Sequence, residues 1–159
     1  MTIEAELIAR LAERGWLLAL AESCTGGLVA ALLTGVPGAS TVFLGGVVAY
    51  ANDVKRDLLG VPGATLETVG AVSTEVALAM AQSARRIFHA HLAAAITGIA
   101  GPGGGTPDKP VGLVFVAVAG PHGECAERLL FTGDRDAIRR QAADAALRML
   151  LAAVTEHAV

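Results

Sequence analysis

The stretch that most constrains the fold is Leu17-Leu18-Ala19-Leu20-Ala21-Glu22-Ser23-Cys24-Thr25-Gly26-Gly27, an apolar run that breaks off in small hydroxyl residues and paired glycines. A run of that length without polar alternation reads as a strand buried on both faces. The residues that follow, Leu28-Val29-Ala30-Ala31-Leu32-Leu33, read as a helix. A doubly buried strand feeding a helix belongs to a layered α/β architecture. The polar cluster then sits at a strand-to-helix turn, which presents Ser23 above a sheet edge. The amides of the helix start are expected to point into the same space, a setting suited to an anion or an oxyanion.

The rest of the chain repeats that alternation. Thr2 caps a first helix with Ile3, Leu7 and Leu11 on one face and Gly15 as its stop. A second strand runs from Thr41 to Ala49, where Gly45-Gly46 predict a bulge or a close backbone approach. Asn52 is read as the N-cap of a short helix carrying Val54, Lys55, Leu58 and Leu59, stopped by Gly60, and the segment from there to Ala71 reads as loop. Ser73 caps a further helix with Val76, Met80, Ala84 and Ile87 on one side. A third strand, Leu92 to Thr97, enters a long glycine-rich loop from Gly98 to Pro110, and a loop of that length inside a compact domain is usually functional. Strands at Val111 to Ala119 and Glu124 to Thr132 flank Gly120-Pro121-His122-Gly123 and form an antiparallel hairpin. Asp134 caps the last helix. The predicted architecture is α/β, a three-layer α/β/α sandwich with a mixed, partly parallel five-stranded sheet, as a single domain over residues 1–159.

Composition removes several function classes. With 53% apolar residues, 17% charged and a formal net charge of -3, the chain has no basic excess for nucleic acid or an acidic membrane. Its few aromatics offer no stacking platform for single strands. Cys24 and Cys125 have neither metal-ligand spacing nor a disulfide framework, and His89, His91, His122 and His157 are scattered, so no protein-bound metal and no cofactor are expected. No signal peptide pattern and no apolar run of membrane-spanning length is present, and a cytoplasmic location is expected.

Three predicted strands end in conspicuous chemistry: Ser23 with Thr25, Tyr50 with Lys55, and Thr97 with the glycine loop. If these strands are parallel, all three ends meet at one rim. A serine hydroxyl needs a neighbour to take its proton, and with no histidine placed by motif, Lys55 is the candidate base. Burial and the first turn of a helix would both disfavour its charged form. Tyr50 either relays the proton or orients the amine. Cys24 is read as a buried thiol rather than the nucleophile. Around Ser23 the Ser-x-x-Lys pattern is absent, since Gly26 stands at the lysine position. The loop Gly101-Pro102-Gly103-Gly104-Gly105 lacks the Gly-Lys-Ser/Thr ending of a P-loop but can wrap a smaller phosphate ester. Arg135 is a candidate partner for a phosphate or carboxylate.

In their order along the chain, Ala21-Glu22-Ser23-Cys24-Thr25-Gly26-Gly27, Gly46-Val47-Val48-Ala49-Tyr50 with Lys55, Gly70-Ala71-Val72-Ser73, Thr97-Gly98-Ile99-Ala100-Gly101-Pro102-Gly103-Gly104, Lys109-Pro110-Val111-Gly112 and Gly133-Asp134-Arg135 resemble the CinA C-terminal family. The likeness covers nearly the whole chain and is closest to the family's stand-alone form. That family includes bacterial nicotinamide mononucleotide deamidases. The resemblance implies hydrolysis of the carboxamide of nicotinamide mononucleotide to nicotinic acid mononucleotide and ammonia, in pyridine-nucleotide salvage. It implies catalytic roles for Ser23, Lys55 and Tyr50, and support from Thr97 and Arg135, with Arg139 and Arg140 one helical turn on as alternatives to the latter. The amides around Thr25, Gly26 and Gly27 are assigned to an oxyanion hole, the loop from Gly101 to Gly105, with Gly103 and Gly104, to the ribosyl phosphate, and Gly98 is counted among the substrate-binding residues. A homodimer is expected. The alternative is a non-catalytic nucleotide-binding or regulatory module in which Ser23 is only a cap; a metal-dependent phosphatase is disfavoured by the scarcity of clustered carboxylates.

Overall fold

The computed structural model describes residues 1–156, so His157 lies outside the described residues. Helix α1 (Ile3–Arg14) leads into β1 (Leu18–Glu22), α2 (Leu28–Thr34), a short 3-10 turn (Ala39–Thr41) and β2 (Phe43–Val48). Then come α3 (Asn52–Asp57), α4 (Gly63–Thr68), α5 (Thr74–Ile87), β3 (Leu92–Gly98), β4 (Leu113–Gly120), β5 (Gly123–Leu130) and α6 (Arg135–Thr155). The strands form one five-stranded sheet in the order β2-β1-β3-β4-β5. β1 is parallel to both β2 and β3, while β4 and β5 are antiparallel to their neighbours. The sheet is therefore mixed and partly parallel, with helices on both faces.

Alternation along each strand divides the core in two. Leu18 and Leu20 of β1, Leu92 and Ile96 of β3, and Val114, Val116 and Val118 of β4 pack with α1, α2 and α6. Their neighbours Ala19, Ala21, Ala93, Ala95, Ala117 and Ala119 face Val76, Ala77, Met80, Ala81 and Ala84 of α5. Large branched side chains thus fill the three-helix side, and small ones let α5 lie close to the sheet.

Local signals behave as their chemistry dictates. Thr2, Ser73 and Asp134 each accept a hydrogen bond from the amide three residues on, at Ala5, Val76 and Ala137. The β1–β2 register skips Leu44, and a Cβ on Gly46 would stand 3.0 Å from the carbonyl oxygen of Leu20, so both the bulge and the close approach are present. The hairpin turns on Pro121-His122, with Gly120 paired to Gly123. Among the described residues no helix is long and apolar enough to cross a membrane.

Several details differ from the sequence reading, among them Ile87, which is exposed at the end of α5 while Val76, Met80 and Ala84 are buried. Asn52 is the first residue of α3 rather than its cap; Ala51 holds the cap position and supplies no side-chain bond. Leu58 is exposed instead of packed, while Leu59 is buried and Val54 packs against the α5 side of the core. The segment read as loop before Ala71 contains α4, which starts after Pro62, a residue whose fixed φ suits a helix entry. α3 and α4 are short elements of fewer than two turns, where neighbouring packing outweighs propensity.

Candidate active site

Because β1, β2 and β3 run parallel, their carboxyl ends share one rim. Glu22 pairs with Val48 on one side and Ile96 on the other, so the next residues at the rim are Ser23, Ala49 and Thr97. The Ser23 amide still donates to the Ile96 carbonyl at 2.9 Å, which fixes the backbone of Ser23 as an extension of the ladder. Lys55 reaches the same point from α3. Its Nζ lies 3.0 Å from Ser23 Oγ and donates to the Tyr50 carbonyl at 3.1 Å. The Lys55 side chain is buried, at 2% exposure, and among the described residues it forms no ion pair.

Those surroundings set the proton affinity. Burial pulls the Lys55 amine below its ordinary value of 10.5, opposed only by the nearby Cys24. The cause is desolvation of the ammonium. Lys55 lies in the last turn of the short α3, not in the first turn invoked from sequence. A neutral amine can accept the Ser23 hydroxyl proton across 3.0 Å; an ammonium can only donate to that oxygen. Cys24 moves the other way. Burial pushes its thiol up to about 11, Glu22 adding to the rise, while its own backbone hydrogen bond, Arg139 and Lys55 oppose it. The thiolate is therefore disfavoured, and the hydroxyl beside Lys55 is the candidate nucleophile.

Ser23, Lys55 and Thr97 line a cavity of about 210 Å³, walled also by Ala71, Val72 and Gly98 and bounded by Tyr50, Asn52 and Arg135. Tyr50 is 59% exposed. Its hydroxyl accepts from Arg135 at 2.9 Å, and it is the Tyr50 carbonyl that meets the amine. Arg135 also donates to the Gly101 carbonyl at 2.7 Å, joining the glycine loop to Tyr50. Thr97 Oγ1 donates to the Ala71 carbonyl at 2.9 Å and so holds the cavity wall. Gly98 and Ala100 face the cavity, whereas Gly103 and Gly104 are exposed and do not line it. Asn52, read from sequence as a cap, lines the cavity instead. Its offset of three residues from Lys55, which places two residues on one helix face, was the available signal.

The turn after Ser23 corrects one expectation. The Gly26 amide donates to the Ser23 carbonyl at 3.0 Å and the Leu28 amide to the Thr25 carbonyl at 3.1 Å. The amides of Val29 and Ala30 donate to the two carboxylate oxygens of Glu22, at 3.0 and 3.1 Å. A carboxylate of the chain itself therefore takes up the Val29 and Ala30 amides at the start of α2. Gly26 and Gly27, at φ +59° and +101°, allow the chain to double back, and Thr25 is fully buried beneath it. None of the three lines the cavity. Arg139 lies at the same turn, donating to the carbonyls of Cys24 and Thr25 at 3.1 and 2.9 Å, while Arg140 pairs with Asp136 at the surface.

A larger groove of about 730 Å³ lies between β5 and α6, but it shares no residue with the Ser23 cavity, and its charged lining includes Arg148 and Asp144 in an exposed ion pair of their own. Among the described residues no cluster of His, Cys, Asp or Glu is arranged to hold a metal ion.

The fold and site thus define an α/β protein with a buried serine–lysine pair at the rim of a parallel sheet. Comparison with known proteins gives the family. The model of the CinA C-terminal domain matches residues 1–154, and the chain belongs to that family. The CinA-like protein of Anaeromyxobacter sp. is 58% identical over 148 residues, 93% of this chain and 36% of that protein. That of Geobacter metallireducens is 51% identical over 156 residues, 98% of this chain and 38% of that protein. The chain therefore spans little more than a third of the length of these curated relatives. Among solved structures, the competence/damage inducible protein CihA from Agrobacterium tumefaciens has a TM-score of 0.89 at 44% identity, covering 96% of each chain. The competence damage-inducible protein A (ComA) from Klebsiella pneumoniae has a TM-score of 0.94 at 33% identity, over 99% of this chain and 97% of that one.

Proposed function

We propose that this protein is a serine amidohydrolase that converts nicotinamide mononucleotide to nicotinic acid mononucleotide and ammonia. The observation that carries the reading is the 3.0 Å approach of Lys55 Nζ to Ser23 Oγ in a buried site where the amine has no acidic partner among the described residues. In this reading Ser23 Oγ attacks the carboxamide carbon as its proton passes to Lys55. The tetrahedral intermediate collapses when Lys55 returns that proton to the nitrogen, which departs as ammonia. Water, deprotonated by the same amine, then attacks the acyl ester, and Lys55 returns that proton to Ser23 Oγ as the acid is released. Every proton has a carrier in Lys55, and the steps call for no metal or cofactor. The guanidinium of Arg135 at the cavity mouth suits the nucleotide phosphate, and the family resemblance supplies the pyridine nucleotide. Tyr50 serves through its carbonyl, which orients the amine, and Thr97 through the wall it holds. The same reading carries a cytoplasmic location and a homodimer as proposals, the latter checked by the sedimentation mass.

The test is ammonia release from nicotinamide mononucleotide by the wild type, Ser23→Ala and Cys24→Ser in parallel. Turnover is expected in the wild type and in Cys24→Ser, unaffected by EDTA, and lost in Ser23→Ala. Turnover by Ser23→Ala would remove the serine from the mechanism. Ligand-dependent thermal stabilisation without ammonia would establish a binding module instead.

A further inference from the structure

Two ionisable side chains outside the cavity hold the Ser23 turn in place. Glu22, the residue before Ser23, is 2% exposed, and its carboxylate accepts from the amides of Val29 and Ala30, so it ties the end of β1 to the start of α2 across the turn. Arg139, from α6, donates through Nε to the Cys24 carbonyl and through Nη2 to the Thr25 carbonyl, tying the middle of the turn to a different layer of the fold. Neither residue lines the cavity, and among the described residues neither forms an ion pair.

This is a costly use of charge. Burying a carboxylate without a cation is unfavourable, and a neutral Ser, Thr or Asn side chain would cap a helix with less desolvation. What the charges add is strength and geometry. Hydrogen bonds to ionised groups are shorter and about twice as strong as neutral ones, and the guanidinium fork fixes two successive carbonyls in one orientation. The residue enclosed by these anchors is Ser23, whose oxygen has to meet both Lys55 Nζ and a substrate carbon. Reaction rates fall steeply when such a contact is misplaced.

We infer that Glu22 and Arg139 are positioning residues that set Ser23 Oγ against Lys55 Nζ, acting through the main chain of the Cys24–Ala30 turn. The inference rests on the serine–lysine reading above and concerns how that pair is kept in register.

The test uses the full chain and a fluorophosphonate ester, a probe that does not depend on the nucleotide substrate. Ser23 Oγ bonds to phosphorus, fluoride leaves, and the hydroxyl proton passes to Lys55. The labelling rate constant is measured against pH for the wild type, Arg139→Lys, Arg139→Met and Glu22→Gln, with the adduct located by mass spectrometry and folding followed by thermal melts. Arg139→Met and Glu22→Gln are expected to label about 10- to 100-fold more slowly. Arg139→Lys, which can reach one carbonyl at a time, should fall between and keeps the test valid if Arg139→Met does not fold. The pH at which labelling rises should not move, because Lys55 stays buried. With nicotinamide mononucleotide the same variants should lower kcat and leave KM near the wild-type value. Labelling within about twofold of wild type in all variants would overturn the inference. So would a rise displaced toward the ordinary lysine value, which would mean that the variants act by exposing Lys55. A wild type that does not label at Ser23 is a different failure: it removes the serine–lysine reading, and this inference with it.

Discussion

At Lys55, burial makes a base out of a residue that is ordinarily a cation. The pKa is lowered from 10.5 by desolvation, so the group binds its proton less tightly in the folded protein than in the unfolded chain. The unfolded state then holds more protons between the two pKa values, and this residue's contribution to stability rises with pH across that interval. The penalty is fully present below the folded pKa and gone above 10.5. Replacing Lys55 with Met, similar in length and always neutral, should therefore raise the melting temperature at neutral pH while abolishing turnover. The gain should shrink as pH climbs toward 10.5; a melting temperature lowered at every pH would show that the amine is a net stabiliser. For wild-type turnover, which needs the neutral amine, kcat/KM should rise with pH to an apparent pKa below 10.5. The sequence could only require the burial behind both effects, as a condition for Lys55 to act as a base; the docking of α3 supplies it. A lysine on a short polar helix looks like a surface residue until α3 is docked on the sheet.

Among the elements, the segment from Val69 to Val72 matters beyond its length. It forms a cavity wall through Ala71 and Val72, and two side chains pin it: Thr97 Oγ1 on the Ala71 carbonyl and Lys109 Nζ on the Val69 carbonyl. Strand β3 and the glycine loop thereby set the width of the cavity. Thr97→Val keeps the shape but removes one donor. It should cost about 1–3 kcal/mol in urea denaturation, from the carbonyl left unpaired, and raise KM more than it lowers kcat. An effect on kcat alone would give Thr97 a part in the chemical step. The helices whose caps are local were legible, because Thr2, Ser73 and Asp134 bond an amide three residues away. α4 was not, since it has no side-chain cap and no buried residue of its own. Asn52 was misread for a related reason: cap and first-turn positions differ by one residue, and only the packing of α3 decided between them.

Over the whole molecule, the sheet separates two unlike packing faces. On the α5 side, Ala95 is fully buried in the layer beneath α5, and Ala95→Leu should overfill it at a cost of about 1–3 kcal/mol. On the other side Leu20→Ala should leave a cavity among α1, α2 and α6 and cost about 2–5 kcal/mol. Equilibrium unfolding of both variants checks the pair, and a neutral Ala95→Leu would mean that α5 can lift from the sheet. The sequence by itself determined the layered class, the β1–turn–α2 unit, the bulge in β2, the hairpin and the capped helices, because each rests on a period or a hydrogen bond a few residues long. It also marked Ser23 and Lys55 as chemistry in search of a partner. Only the tertiary structure decided that these two meet, that Arg135 reaches Tyr50 while Arg139 holds the Ser23 turn, and that Glu22 takes up the Val29 and Ala30 amides at the start of α2. Those contacts join residues of different layers or reverse a short turn, and their geometry is set by how strands align and helices pack, which no local pattern encodes.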